Sequence, residues 1–200
     1  MNAYRLSFWM LSYLLFDEGL RSTIRAETFP AFAENRINHN HLFKECPRLM
    51  AIYNEVLRLA FGAVSIRRVV APAEIGGKKL CTGSSVMIPI RQLHYDEETF
   101  GSNAGEFDSR RFLHNELDQS PSFVPFGESE DAFPQPFLAK REILIFVAIL
   151  INRYDIELVD GSLGKRGSPT LPDIDYTCPT LGIMPPVKGT EVYIRLKEAA

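Results

Sequence analysis

Apolar and polar positions along the chain change texture several times. From Leu6 to Phe16 almost every residue is apolar, interrupted only by Ser7 and Ser12. A bilayer span needs about 20 apolar residues, so this run predicts a buried helix instead. Asp17-Glu18-Gly19 ends it, and Leu20, Ile24, Phe29 and Phe32 recur at roughly helical spacing, with Pro30 marking a break or a new start. A polar link from Asn35 to His41 follows. Cys46-Pro47 then opens the strongest helical pattern of the chain, running to about Phe61 with proline at the first turn, where a missing N–H does no harm.

The pattern shortens after Ser65. Ser65-Ile66-Arg67-Arg68-Val69-Val70 and Ser85-Val86-Met87-Ile88-Pro89 read as strands separated by Gly76-Gly77 and Gly83, a small sheet of hairpins. Arg91 to Ser120 is mostly irregular, with turn chemistry from Phe100 to Gly105. So long a non-repetitive connection inside a domain points to function or to a docked partner. Pro121 to Glu142 is a Pro- and Gly-punctuated loop feeding a helix over Ala139–Tyr154 that is apolar all round and needs neighbours on every side. Tyr154–Val159 alternates as a strand, Gly161–Cys178 is a polar loop, and Glu191–Leu196 alternates again. The sum is a mainly α fold with a small β-sheet.

Composition narrows this picture. Two hundred residues with 46% hydrophobic content suit one domain with a real core. A net charge of −3 gives no footprint for nucleic acid. The three cysteines, Cys46, Cys81 and Cys178, are scattered and odd in number, which suits free thiols in a reducing compartment. No cleavable signal is evident, since a basic leader and a small-residue cleavage site are both lacking. His39 and His41 lie in the polar linker without partner ligands at useful spacing, so a metal site there is not expected.

The candidate chemistry lies in five places. Glu55 and Arg58 form a Glu-x-x-Arg on the strong helix, where the i,i+3 spacing puts both side chains on one face. Alone, such a pair reads as a surface ion pair of little energetic consequence. Phe107-Asp108-Ser109-Arg110-Arg111-Phe112 supplies further arginines downstream. Arg67 begins a strand, and Leu93-His94-Tyr95-Asp96 lies near the start of the irregular stretch. Finally, Phe126-Gly127 leads through Phe133-Pro134 into the helix beginning near Phe137.

In that order and at that spacing these motifs resemble the cytochrome P450 superfamily across nearly the whole chain. The nearest look is to filamentous-fungal members, on Glu45-Cys46-Pro47-Arg48-Leu49, Ile75-Gly76-Gly77-Lys78 and Leu181-Gly182-Ile183-Met184. The resemblance implies the C-terminal portion of that fold: residues 1–200 as one partial domain, from the end of the family's central helix through the C-terminal strands. It implies that Arg111 completes a buried Glu55–Arg58–Arg111 triad acting as a structural clamp. It implies that Arg67 and His94 reach haem propionates, and that Phe126 and Phe133 lie in the haem-binding loop. Phe126 matches that loop, while Ser129, Asp131, Phe133 and Gln135 depart from it.

Phe133 occupies the axial-ligand slot, where the family carries the cysteine whose thiolate binds haem iron. Phenylalanine has no lone pair, and the thiolate is what favours O–O cleavage in this chemistry. No His, Tyr or Met within the loop replaces it, and Asp131 stands where a basic propionate partner is usual, repelling that anion. Haem is therefore expected to be absent, or held without thiolate ligation. The expectation is a truncated, inactive monooxygenase-like chain of fungal secondary metabolism, with no catalytic residue and no metal ligand. The alternatives are a working monooxygenase with an incomplete or misread sequence, and a pseudoenzyme binding a hydrophobic small molecule or a protein partner. With the family's anchor lacking and no membrane span, an intracellular location is expected, cytoplasmic or peripheral to the endoplasmic reticulum.

Overall fold

The computed structural model describes residues 3–114, 116–125, 135–159, 170–178, 180 and 182–198. The first apolar run forms α1 (Ala3–Phe16), whose Leu6, Trp9, Met10 and Leu14 are fully buried at i, i+3, i+4 and i+8, one inward stripe. Ser12 is also buried, and its hydroxyl donates to the Phe8 carbonyl at 2.8 Å, so it makes no demand on the core. Asp17 adopts extended backbone and accepts from the Leu20 N–H at 2.8 Å, capping α2 (Glu18–Thr28).

The helical spacing expected to run on to Phe32 stops earlier. Phe29–Asn35 is a 3-10 turn, because Pro30 lacks the N–H and crowds the carbonyl four residues back. The polar link also differs from expectation: His39–Lys44 forms a short helix, α3, capped by the Asn38 side chain accepting from the His41 N–H at 3.1 Å.

α4 (Pro47–Ala60) is the central element, with α1, α2 and α5 (Ile90–His94) packed on it and every residue from Ala51 to Ala60 buried. Its own N-terminal residue, Cys46, supplies no side-chain cap. Glu27, in the last turn of α2, reaches across instead: one carboxylate oxygen accepts from the Arg48 N–H at 3.0 Å and the other from the Leu49 N–H at 2.9 Å. This satisfies two orphan donors and sets a negative charge at the positive end of the helix.

The expected single sheet resolves into three antiparallel pairs. β1 (Val64–Arg68) pairs with β4 (Ser85–Pro89), and β2 (Ala73–Ile75) with β3 (Lys78–Leu80). Gly76 and Gly77 turn the second pair at φ 55° and 74°, the left-handed values that a tight two-residue hairpin demands. β5 (Tyr154–Leu158) pairs with β6 (Ile194–Glu198), Tyr154 opposite Glu198. β6 begins three residues later than the alternation suggested.

Between these pairs, the stretch expected to be irregular contains α5, α6 (Glu97–Phe100) and a 3-10 turn at Leu117–Gln119. α7 (Gln135–Arg153) packs against α1 through Ile143, Leu144, Val147, Ala148 and Ile151. It is not buried on all sides: Phe137, Leu138 and Phe146 are 72%, 60% and 46% exposed. Residues 182–184 return to the core beside α1 and α4. The Trp9 indole donates to the Met184 carbonyl at 2.8 Å, and the Met184 N–H to the Ala60 carbonyl at 2.8 Å. Among the described residues, no helix is long and apolar enough to cross a membrane.

Candidate functional site

The inner face of α4 carries the densest chemistry of the molecule. Glu55 and Arg58 are both fully buried, one turn apart, and Arg111 is 8% exposed. Arg58 grips Glu55 in a two-pronged arrangement, Nε to Oε2 at 2.8 Å and Nη2 to Oε1 at 2.8 Å. Arg111 Nε adds a third bond to Oε1 at 3.0 Å, and the Asp108 N–H a fourth at 3.0 Å. Glu55 is thus an anion with four donors, the condition under which a carboxylate tolerates burial.

The two guanidiniums leave the cluster with one excess positive charge, and backbone carbonyls answer it. Arg58 Nη1 donates to the His94 and Ala104 carbonyls, both at 2.7 Å, and Nη2 to the Glu106 carbonyl at 3.4 Å. Arg111 donates to the Phe100 carbonyl, to the Asn103 side chain and carbonyl, each at 3.0 Å, and to the Glu106 carbonyl at 3.2 Å. Each guanidinium has five N–H donors, and all ten are engaged. The Phe100 ring lies 5.0 Å from the Arg58 guanidinium carbon, a cation–π contact in a desolvated place. The irregular segment from Phe100 to Arg111 is therefore ordered by turning its carbonyls inward onto two arginines.

The structure brings Glu55, Arg58 and Arg111 into one cluster and leaves Arg67 out of it. Arg67 is exposed on β1, where its Nη1 donates to the Ile66 carbonyl at 3.2 Å. His94, expected beside a propionate, lies against the clamp with no exposed surface. Its Nδ1 is 3.1 Å from the Arg58 carbonyl, and since a carbonyl only accepts, Nδ1 carries the proton. Nε2 then presents a lone pair with no hydrogen-bond partner, beside the Phe61 and Phe123 rings at 6.1 and 5.4 Å. Burial, reinforced by the nearby Arg58 charge, lowers the His94 pKa from 6.5 to about 4. Phe126 and Phe133 lie outside the described residues.

Sequence reasoning missed most of the cluster's acceptors. The carbonyls of His94, Phe100, Asn103, Ala104 and Glu106 carry no side-chain signature, because every residue has one. Only the Asn103 side chain gave a signal, and it read as turn chemistry.

Among the described residues, neither Cys46 nor Cys81 is set up to offer a thiolate to a haem iron. Position 133 is phenylalanine. The Cys46 sulfur contacts the Glu27 carbonyl at 3.6 Å, and burial pushes its thiol up to about 11, away from the thiolate. Cys81 is exposed on the hairpin region, and His94 is enclosed. Among the described residues no three His, Cys, Asp or Glu side chains gather as a metal site.

Comparison with known proteins shows the family of the chain. The profile of the family described as Cytochrome P450 matches residues 6–170. The chain is 30% identical over 186 residues to cytochrome P450 monooxygenase calL of Penicillium decumbens, covering 82% of this chain and 35% of that protein. It is 32% identical over 167 residues to abscisic acid 8'-hydroxylase 4 of Arabidopsis thaliana, covering 80% and 35%. A cytochrome P450 monooxygenase of Gibberella zeae is 26% identical over 194 residues, covering 89% and 36%. The chain thus spans about a third of the length of these relatives. On the profile match, the identity to the relatives and a mainly α architecture with small antiparallel sheets, this chain belongs to the cytochrome P450 family.

Proposed function

We infer that this chain is a non-catalytic member of the monooxygenase family, keeping the family's structural clamp while lacking the group that would ligate haem iron. The observation that carries the reading is Phe133, standing where the resemblance places the axial cysteine. A benzyl side chain offers iron no donor, and the thiolate is indispensable to O–O cleavage of this kind. The clamp supports the reading from the other side. Glu55, Arg58 and Arg111 touch one another and the backbone, so their work is to fold the chain.

Arg67 is the described residue best suited to a propionate, being exposed and held only by its neighbour's carbonyl. We assign it that role in the lineage, with Phe126 and Phe133 lining the haem-facing loop. A place in fungal secondary metabolism follows the filamentous-fungal resemblance. The relatives include plant hydroxylases as well as fungal monooxygenases, so no substrate carries over. The test is reduced carbon monoxide difference spectroscopy on the purified chain after incubation with haem. No thiolate-type band is expected, and a band of that type overturns the reading.

A second reading, binding of a hydrophobic small molecule or protein partner, draws on the exposure of Phe137, Leu138 and Phe146 along α7. Size-exclusion chromatography with light scattering separates the two. An aggregating, dye-binding chain fits a fold kept without selection, whereas a monodisperse, cooperatively melting one fits a binding module.

A further inference from the structure

A cavity of about 510 Å³ opens between α2, the first turns of α4 and the segment Ser109–His114. Its volume is within the range of small-molecule sites, roughly 300–1,000 Å³. Leu20, Ile52 and Leu113 give it an apolar wall, and Arg48, Arg110, His114 and Ser109 give it donors, while the Thr23 hydroxyl on its lining already donates to the Gly19 carbonyl at 2.8 Å. One carboxylate, Asp17, also lines it, and that carboxylate already accepts from the Leu20 N–H at 2.8 Å.

The charge balance of this cavity is unusual for a chain of net charge −3. Among the described residues, the guanidiniums of Arg48 and Arg110 have no hydrogen bond or ion pair, and only their backbone N–H groups are bonded, to the Glu27 and Asp108 carboxylates. Other arginines of this region have a carboxylate partner: Arg21 with Glu18 at 4.0 Å, Arg25 with Asp155 at 2.7 Å, and Arg58 and Arg111 with Glu55. Arg48 moreover sits in the first turn of α4, the positive end of a helix, where a cation is electrostatically misplaced. The acid nearest to it, Glu27, is committed to two backbone N–H groups. Arg48, Arg110 and His114 are solvent-exposed around the hollow, so water matches them when it is empty, and an anion entering there would meet two forked sets of N–H groups that suit phosphate oxygens.

We propose that this cavity binds a small organic phosphate, Arg48 and Arg110 taking the phosphate oxygens while Leu20, Ile52 and Leu113 cover an apolar body. The site is separate from the clamp and independent of the haem reading: it uses none of Glu55, Arg58, Arg111, Arg67 or Phe133.

Isothermal titration of the purified chain with phenyl phosphate, inorganic phosphate and phenol tests it. Saturable binding is expected for phenyl phosphate, weaker binding for inorganic phosphate, and none for phenol. The double substitution Arg48→Ala, Arg110→Ala should weaken phenyl phosphate binding on the order of tenfold or more, through the loss of charge-assisted bonds. Lys78→Ala with Lys79→Ala, which removes equal charge from the β3 hairpin, should leave it unchanged. A readout needing no variant is protection of Arg110 from phenylglyoxal, followed by peptide mass spectrometry with and without phenyl phosphate. Absence of saturable binding, equal weakening by both double substitutions, or unprotected Arg110 at saturating phenyl phosphate would each overturn the proposal.

Discussion

The clamp on α4 and the hairpins of residues 64–89 are neighbours in sequence and opposites in physical character. In the clamp, three charged side chains are almost wholly removed from water, and besides their local bonds they include bonds to residues 36, 46 and 56 positions away in sequence. In the hairpins, strands pair with near neighbours, and Ile66 and Met87 are 58% and 64% exposed. The clamp is also complete, with ten guanidinium donors engaged, whereas Arg67 on β1 reaches no further than the adjacent carbonyl. Buried charge must be matched by distant groups and is lost all at once; exposed charge is matched by water and can change singly. Stability should therefore concentrate at α4 and be nearly absent from the hairpins, and four measurements probe that contrast.

The largest effect is expected from Arg58→Ala. It strands the Glu55 carboxylate beside one arginine and frees two buried carbonyls, at a cost of about 3–5 kcal/mol. Chemical denaturation of the variant should show a sharply lowered midpoint or no folded protein. Arg58→Lys should recover little, since an ammonium cannot reproduce the two-pronged contact. A variant melting like the parent would erase the contrast.

Next comes acid. The neutral imidazole of His94 is the form the fold accepts, with a pKa of about 4 against 6.5 in the unfolded chain. The unfolded state therefore takes up the proton first as pH falls. The contribution is fully present above about 6.5 and is lost progressively toward 4, on the order of 3 kcal/mol in all. Urea midpoints measured from pH 7 to pH 4 should decline over that window, and His94→Gln should flatten the decline. A parallel pH dependence in the variant would show that other groups control it.

A smaller effect is expected from Glu27→Ala, which takes the cap from α4 without touching the clamp. Loss of a helix cap costs about 0.5–2 kcal/mol, read as a modest fall in the denaturation midpoint with the slope unchanged. The smallest belongs to Ile66→Thr on the exposed hairpin, expected within about 0.5 kcal/mol of the parent. A large loss there would mean that the hairpin face is covered in solution.

Much of this molecule was legible one residue at a time. The apolar stripe of α1, the proline-started α4 and the Gly76-Gly77 turn each follow from local chemistry: side-chain period, a dispensable N–H, a positive φ. The Glu55–Arg58 pair was legible too, because helical spacing alone sets both on one face. Sequence also established what stands at position 133, and with it the chemistry that a benzyl group cannot supply.

Tertiary structure decided the rest. That the Glu55 pair is buried, that Glu27 and not a residue beside Cys46 caps α4, and that His94 belongs to the clamp rather than to the surface all depend on groups brought together across 21 to 56 residues. The carbonyls that neutralise Arg58 and Arg111 could not have been named in advance, since their chemistry is shared by every residue and only the path of the chain aims them. Likewise α7 is apolar all round in sequence, yet packing gives it one buried and one exposed face. Side-chain period reports what a helix could bury, and the number of neighbours that reach it fixes how much it does bury.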